Sequence, residues 1–154
     1  MKKLLAVLAV LGLAFAGMAS YYAGVEIIPH TFGAATYGIS YVIVGYEAPA
    51  AFTHIGLSSP LTINGWYMLK AGGNYALTDN LKLCGYFALW GELTNFTFSN
   101  GTWAIGFGIN YKFDSALAFF LNFNLPLAVD PATPYWGFWS TLGFKFYFGS
   151  ELGS

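Results

Sequence analysis

"TLGFKFYF", residues 141–148, alternates without a break: Leu142, Phe144, Phe146 and Phe148 fall on one face, Thr141, Gly143, Lys145 and Tyr147 on the other. A period of two is the mark of a strand with two unlike faces. In a soluble protein the lysine face would meet water and the phenylalanines a core. The remainder of the chain argues for the reverse.

Only 8% of the 154 residues are charged, while 56% are hydrophobic and 20% aromatic. A soluble domain carries roughly 25% charged residues, so a water-facing surface cannot be assembled from this composition. The 19 glycines and many aromatics also differ from a leucine-rich helical membrane protein. The length fits one domain.

Residues 1–19 begin with Lys2 and Lys3, continue with an apolar run from Leu4 to Ala16, and end in the small residues around Gly17 and Ala19. This is the anatomy of a secretory signal peptide; the run is short of the ~20 residues a spanning helix needs. Residues 20–148 are then expected to form the barrel argued below, and 149–154 a short tail or an expression scar. Without the leader, four lysines face seven acids and no arginine is present, a net charge of −3. Nucleic-acid binding is therefore not expected. Cys84 is the single cysteine, which excludes an intramolecular disulfide and any paired-cysteine metal motif. No metal or cofactor is expected.

Beyond the leader no stretch offers ~20 clean apolar residues. The best, Ala34 to Phe52, is broken by Glu47 and Pro49. Alternation recurs instead. In "WAIGFGINYKF", Trp103, Ile105, Phe107, Ile109 and Tyr111 oppose Ala104, Gly106, Gly108, Asn110 and Lys112. Similar patterns surround Val25, Leu69, Leu83 and Phe119, and around residues 37–43 Tyr37, Ile39, Tyr41 and Ile43 are set against Gly38 and Ser40. With the final segment these make seven strands. "AFTHIGL", residues 51–57, is the weakest candidate, and parity makes it the eighth. "ALTDNL" and "FDSAL" read as tight turns on the side of the termini, and Asn64-Gly65 and Asn100-Gly101 as hairpin turns on the other side. All six prolines fall in connections or at strand ends on this segmentation.

Glu26, His54, Lys70, Lys82, Glu92, Lys112 and Lys145 all fall on the face that carries glycine and asparagine, and the other face is almost wholly apolar. Lipid cannot satisfy backbone polar groups, so a spanning sheet must close on itself, with apolar side chains toward the bilayer and polar ones inside. The expected fold is all-β: a transmembrane antiparallel up-and-down β-barrel of eight strands, closed by pairing the last strand with the first. Lys145 would then face the lumen and Phe144, Phe146 and Phe148 the lipid. Eight strands leave an interior just wide enough for side chains to fill. Glycines such as Gly24, Gly72, Gly106, Gly108 and Gly143 would make room for Tyr22, Tyr86, Trp90, Phe120, Trp139 and Tyr147.

Thr141, Gly143, Phe146 and Phe148 resemble the C-terminal assembly signal of outer-membrane proteins, and "NYALTDNLKL" resembles a periplasmic turn of small OmpA/OmpX/OmpW-type barrels. The chain departs from that pattern in continuing past Phe148 with "GSELGS". The resemblance implies a bacterial outer-membrane location, with membrane lipid, lipopolysaccharide and the outer-membrane assembly machinery as partners. It implies a structural or interaction role at the envelope or, as in OmpW-type barrels, a narrow passage or binding site for small hydrophobic molecules. The passage would need a cavity among the inward apolar residues, read as Ile28, Val42, Val44, Phe120 and Trp139. Barrel enzymes that modify lipids exist, but His30 lacks a nearby Ser-Glu pair and His54 falls in mid-strand, so no enzyme is expected. Lys70 and Glu26 fall near mid-depth and are expected to pair. Lys82, Lys112 and Lys145 lack an obvious lumenal acid, so a hydrated, positive inner vestibule is expected beneath an aromatic plug that includes Trp90 and Trp139.

Overall fold

The computed structural model describes residues 20–32, 35–59, 64–95, 97–98, 101–127 and 139–148. The expected leader, the tail, Asn100, Tyr135, Trp136 and Gly137 lie outside these residues, as does the side chain of His30. Nine strands follow in order: β1 Ser20–Phe32, β2 Ala35–Glu47, β3 Ala51–Ser59, β4 Asn64–Ala76, β5 Leu81–Thr94, β6 Thr97–Phe98, β7 Thr102–Lys112, β8 Leu117–Pro126 and β9 Trp139–Phe148. Every pairing is antiparallel. β4 bonds both β3 and β5, and β9 bonds both β8 and β1, so the eight long strands close into a ring. β6 is a two-residue ladder on the end of β5 and no part of the wall. Closure bonds each long strand on both sides over the middle of the wall among the described residues.

The alternation read from the sequence becomes an inside and an outside. In β7, Trp103, Ile105, Phe107, Ile109 and Tyr111 are exposed, while Ala104, Gly106, Gly108 and Asn110 are buried. β9 repeats this: Phe144, Phe146 and Phe148 are exposed and Lys145 is only 5% exposed. Aromatic rings inside are seated on inward glycines: a Cβ at Gly106 or Gly72 would overlap Tyr86, one at Gly45 would overlap the Tyr22 ring, and one at Gly143 would meet Phe120. The weak third strand is present at nine residues, and its short length matches the tight Ala48–Ala50 reversal before it.

Three sequence readings need correction. The faces of β2 are inverted relative to the reading from Gly38 and Ser40: Tyr41 and Ile43 are buried, while Val42 and Val44 are 43% and 51% exposed. β2 is apolar on both faces, so small or polar residues are poor markers there. Its true inward marker is Glu47, which shares the parity of Tyr41 and Ile43. Pro29 lies inside β1, paired with Gly38. This is tolerated because β9 stops bonding β1 at Ile27, so Pro29 has a neighbour on one side only. Asn64-Gly65 begins β4 opposite Thr94 and Leu93 and forms no turn. The left-handed turn residue is Asn95, at φ 50°, where Thr94 and Thr97 pair around it.

The turns on the terminal side carry side-chain locks. Asp114 Oδ1 accepts from the amides of Ala116 and Leu117 at 2.7 and 2.8 Å. Thr78 Oγ1 accepts from Leu81 N at 3.0 Å.

Candidate functional site in the lumen

Two acidic residues organise the polar interior. Glu26 projects inward from β1 and is fully buried. Its Oε1 accepts from Lys70 Nζ on β4, and its Oε2 lies 3.4 Å from His54 Nε2 on β3. Tyr22 OH is 2.8 Å from the other ring nitrogen of His54. An uncharged imidazole that accepts from the tyrosine at Nδ1 presents its N–H to the carboxylate, which keeps this cluster of Glu26, Lys70 and His54 electrically neutral. Lys70 Nζ lies 3.5 Å from Thr141 Oγ1, and 5.0 and 5.1 Å from the ring centres of Tyr86 and Trp90. A buried ammonium is thus held by one carboxylate and two aromatic faces.

Glu47, at the end of β2, is the second centre and the residue that sequence reading missed. Its carboxylate takes Lys82 Nζ at 2.9 Å and Lys145 Nζ at 2.8 Å. It also accepts from Tyr147 OH at 2.8 Å and Asn110 Nδ2 at 3.3 Å. Four strands meet on it: β2, β5, β7 and, twice, β9 through Lys145 and Tyr147, while the Phe120 ring of β8 lies 5.7 Å from Lys145 Nζ. Two of the three lysines expected to lack an acid therefore have one. Lys112 lies over the Tyr147 ring at 5.1 Å, half-buried. In the sequence Glu47 was read only as a break in an apolar run. Its odd parity with Ile43 and Gly45 was the available signal.

Glu92 does not share this enclosure. Its side chain is exposed, because β5 at this height has outrun β7, whose last partner is Thr102 opposite Trp90. β5 still pairs with β4 there, but the buried side passes to Gly91 and Leu93, so the parity that points inward up to Trp90 no longer means burial. Asp79 and Asp114 are exposed in their turns and make no ion pair with the lysines among the described residues.

Past Lys70 the interior is mainly aromatic and aliphatic, with Asn124 buried among the rings. Trp90 packs edge-on against Tyr41 at 5.5 Å and Trp139 at 5.8 Å between ring centres. Ile28, Ile43, Met68 and Phe120 are buried in the same cluster. Tyr86 OH donates to Asn124 Oδ1 at 2.8 Å, and Cys84 Sγ lies 3.6 Å from Asn122 Oδ1. Cys84 is half-buried and is not part of a disulfide. No three of His, Cys, Asp or Glu among the described residues stand close enough to hold a metal ion.

The outer face is of another kind. Thr141 and Gly143 are buried in the lumen, while Phe146 and Phe148 are 54% and 55% exposed on the outside. A groove of about 440 Å³ on the β2–β5 side is lined by Val44, Thr53, Ile55, Leu69, Ala71 and Phe87 among others. Trp103 stands exposed toward one rim and Tyr75, Tyr111 and Phe148 toward the other.

Among solved structures the chain is similar to the solution structure of a de novo designed barrel, TMB2.3, at a TM-score of 0.63 and 13% identity, over 86% of this chain and 96% of that one. A second similar structure, from the de novo design of transmembrane β-barrels, gives a TM-score of 0.54 and 13% identity over 84% and 95%. No family model and no curated protein matches the chain, so its likeness to OmpA/OmpX/OmpW-type barrels rests on motifs alone. At this identity the likeness establishes architecture: an eight-stranded antiparallel barrel of the transmembrane kind.

Proposed function

We propose that this chain is a small barrel of the bacterial outer membrane, with a lumen closed by its own side chains and a structural or interaction role at the cell envelope. Membrane lipid and lipopolysaccharide surround it, and the outer-membrane assembly machinery inserts it. The observation that carries this reading is the Tyr41–Trp90–Trp139 cluster set across the lumen directly beyond Lys70. Ionic layers on Glu47 and Glu26 lie on its terminal side. A solute would have to separate buried ion pairs and then displace packed indoles.

A passage or binding site for small hydrophobic molecules needs apolar space inside. Ile28, Phe120 and Trp139 are instead buried against one another's cluster. A lumenal cavity beside this cluster holds only about 10 Å³, and His54, three asparagines and Lys145 share its lining with Phe52 and Phe120. His54, 4% exposed and bonded to Tyr22, supports a structural role for the imidazole, and no catalysis is proposed.

Reconstitution into planar bilayers tests the reading. The wild-type barrel should show no steady conductance, and liposomes carrying it should take up alkanes no faster than empty ones. Removing both indoles, Trp90→Ala with Trp139→Ala, should open a small leak that favours anions, since Lys82, Lys112 and Lys145 outnumber Glu47 below. Steady wild-type conductance or accelerated alkane uptake would establish the passage instead.

A further inference from the structure

Between the two ionic clusters the lumen contains a cavity of about 10 Å³, bounded in part by Asn74, Cys84, Asn110, Asn122 and Lys145. Two buried amide atoms of this wall have no protein partner, Asn74 Nδ2 and Asn110 Oδ1. Asn110 is 5% exposed, and its own Nδ2 is committed to Glu47 Oε2, which fixes the orientation of the amide. The neighbouring carbonyl of Asn122 is already engaged by the Cys84 thiol. One orphan is thus a donor and the other an acceptor. A buried amide atom left without a partner is destabilising, so two of them on residues lining one cavity call for a ligand.

We propose that this cavity is a binding site for a single water molecule, which accepts from Asn74 Nδ2 and donates to Asn110 Oδ1. Size and chemistry both select water. A volume near 10–15 Å³ is about the least that holds one water molecule, and it is too small for an organic ligand or a hydrated ion. The Lys145 ammonium on the wall disfavours a bare cation, and the Asn110 carbonyl oxygen disfavours a bare anion. The bridge joins β4 to β7, which are not paired with each other because β5 lies between them. It completes the polar layer on the terminal side of the aromatic cluster and links Asn74 to the Glu47 centre through Asn110.

Two measurements on the full barrel test this. Crystals that order solvent should show one density peak within hydrogen-bond distance of both Asn74 Nδ2 and Asn110 Oδ1. Unfolding rates of Asn74→Ala, Asn110→Ala and the double variant should also be coupled. Each single change should speed unfolding, and the double should fall at least threefold short of the product of the two effects. Side chains on unpaired strands with no shared partner should instead give multiplied rates. A wild-type cavity without the peak, a direct Asn74–Asn110 bond, or rates that simply multiply would overturn the proposal. The wild-type density decides alone should a variant not fold.

Discussion

Glu47 and Lys145 lie 98 residues apart in the chain, yet Glu47 Oε2 and Lys145 Nζ are 2.8 Å apart across the terminal mouth of the barrel. The pair ties the first hairpin to the closing strand, and Lys82, Tyr147 and Asn110 converge on the same carboxylate. Both side chains are nearly buried, Glu47 at 5% and Lys145 at 6% exposure. Replacing Glu47 by glutamine leaves the nearly buried Lys145 ammonium without a counter-charge. Breaking a buried pair from one side costs about 3–5 kcal/mol. Urea unfolding from lipid vesicles should show a loss of that order for Glu47→Gln. Glu92→Gln, at an exposed strand end, should change stability by under about 0.5 kcal/mol.

The Glu26–Lys70 pair calls for a double-mutant cycle. Either Glu26→Gln or Lys70→Met alone leaves one charge buried and should cost about 3–5 kcal/mol. The double variant removes both charges and should cost clearly less than the sum of the singles. Additive losses, measured by the same unfolding, would mean that the two side chains do not act as a pair.

The wall of the barrel was legible because its physics is local. Alternation around Phe107 and Phe144 gives the faces, and Asp114 and Thr78 give the turns. Eight strands then follow from the need to close. The Lys70–Glu26 contact was also within reach, since both residues fall at mid-depth on inward parity. Glu47 was harder, because in residues 39–49 the one sign that Tyr41 and Ile43 turn inward while Val42 and Val44 turn out is the parity of Glu47 itself. Both faces of β2 are apolar, and only its register against Glu26 and Phe52 decides between them. The height at which each neighbour stops was equally hidden. That height exposes Glu92 and lets Pro29 sit in β1.

Glycine positions separate internal packing from mere presence in a strand. A Cβ at Gly143 would overlap Val25 O and meet the Phe120 ring, and one at Gly108 would overlap Leu121 O and Asn122 Oδ1. At Gly85, on the outer face, a Cβ meets nothing within 4 Å. Overpacking costs about 1–3 kcal/mol, while alanine in place of a strand glycine gains roughly 0.5–1 kcal/mol where there is room. Gly143→Ala and Gly108→Ser should therefore destabilise the barrel, and Gly85→Ala should leave it unchanged or firmer. Equilibrium unfolding of the three variants checks the order.

Phe107 should be intolerant of charge for the opposite reason. It is 57% exposed on the outer face, stacked on Phe123 at 5.5 Å, midway along β7. A lysine there would face hydrocarbon near mid-depth, at about 2–4 kcal/mol, whereas in water it would cost little. Phe107→Lys should thus unfold more readily from lipid vesicles by about that amount. Equal stability of variant and wild type would mean that this face does not meet lipid.

The turns supply the test of orientation. Asp79 and Asp114 are exposed at the end of the barrel where β1 begins and β9 finishes, and Asn95 is exposed at the opposite end. If the chain lies in an outer membrane with its termini inside, single cysteines at 79 and 114 in a Cys84→Ala background should resist a membrane-impermeant maleimide in intact cells. A cysteine at 95 should react, and permeabilising the outer membrane should make all three react. Cys84 itself lines the lumen, so its removal clears the background without touching the outer face. Labelling of 79 and 114 in intact cells with 95 protected would invert the barrel. Equal labelling of all three before permeabilisation would deny it a membrane altogether.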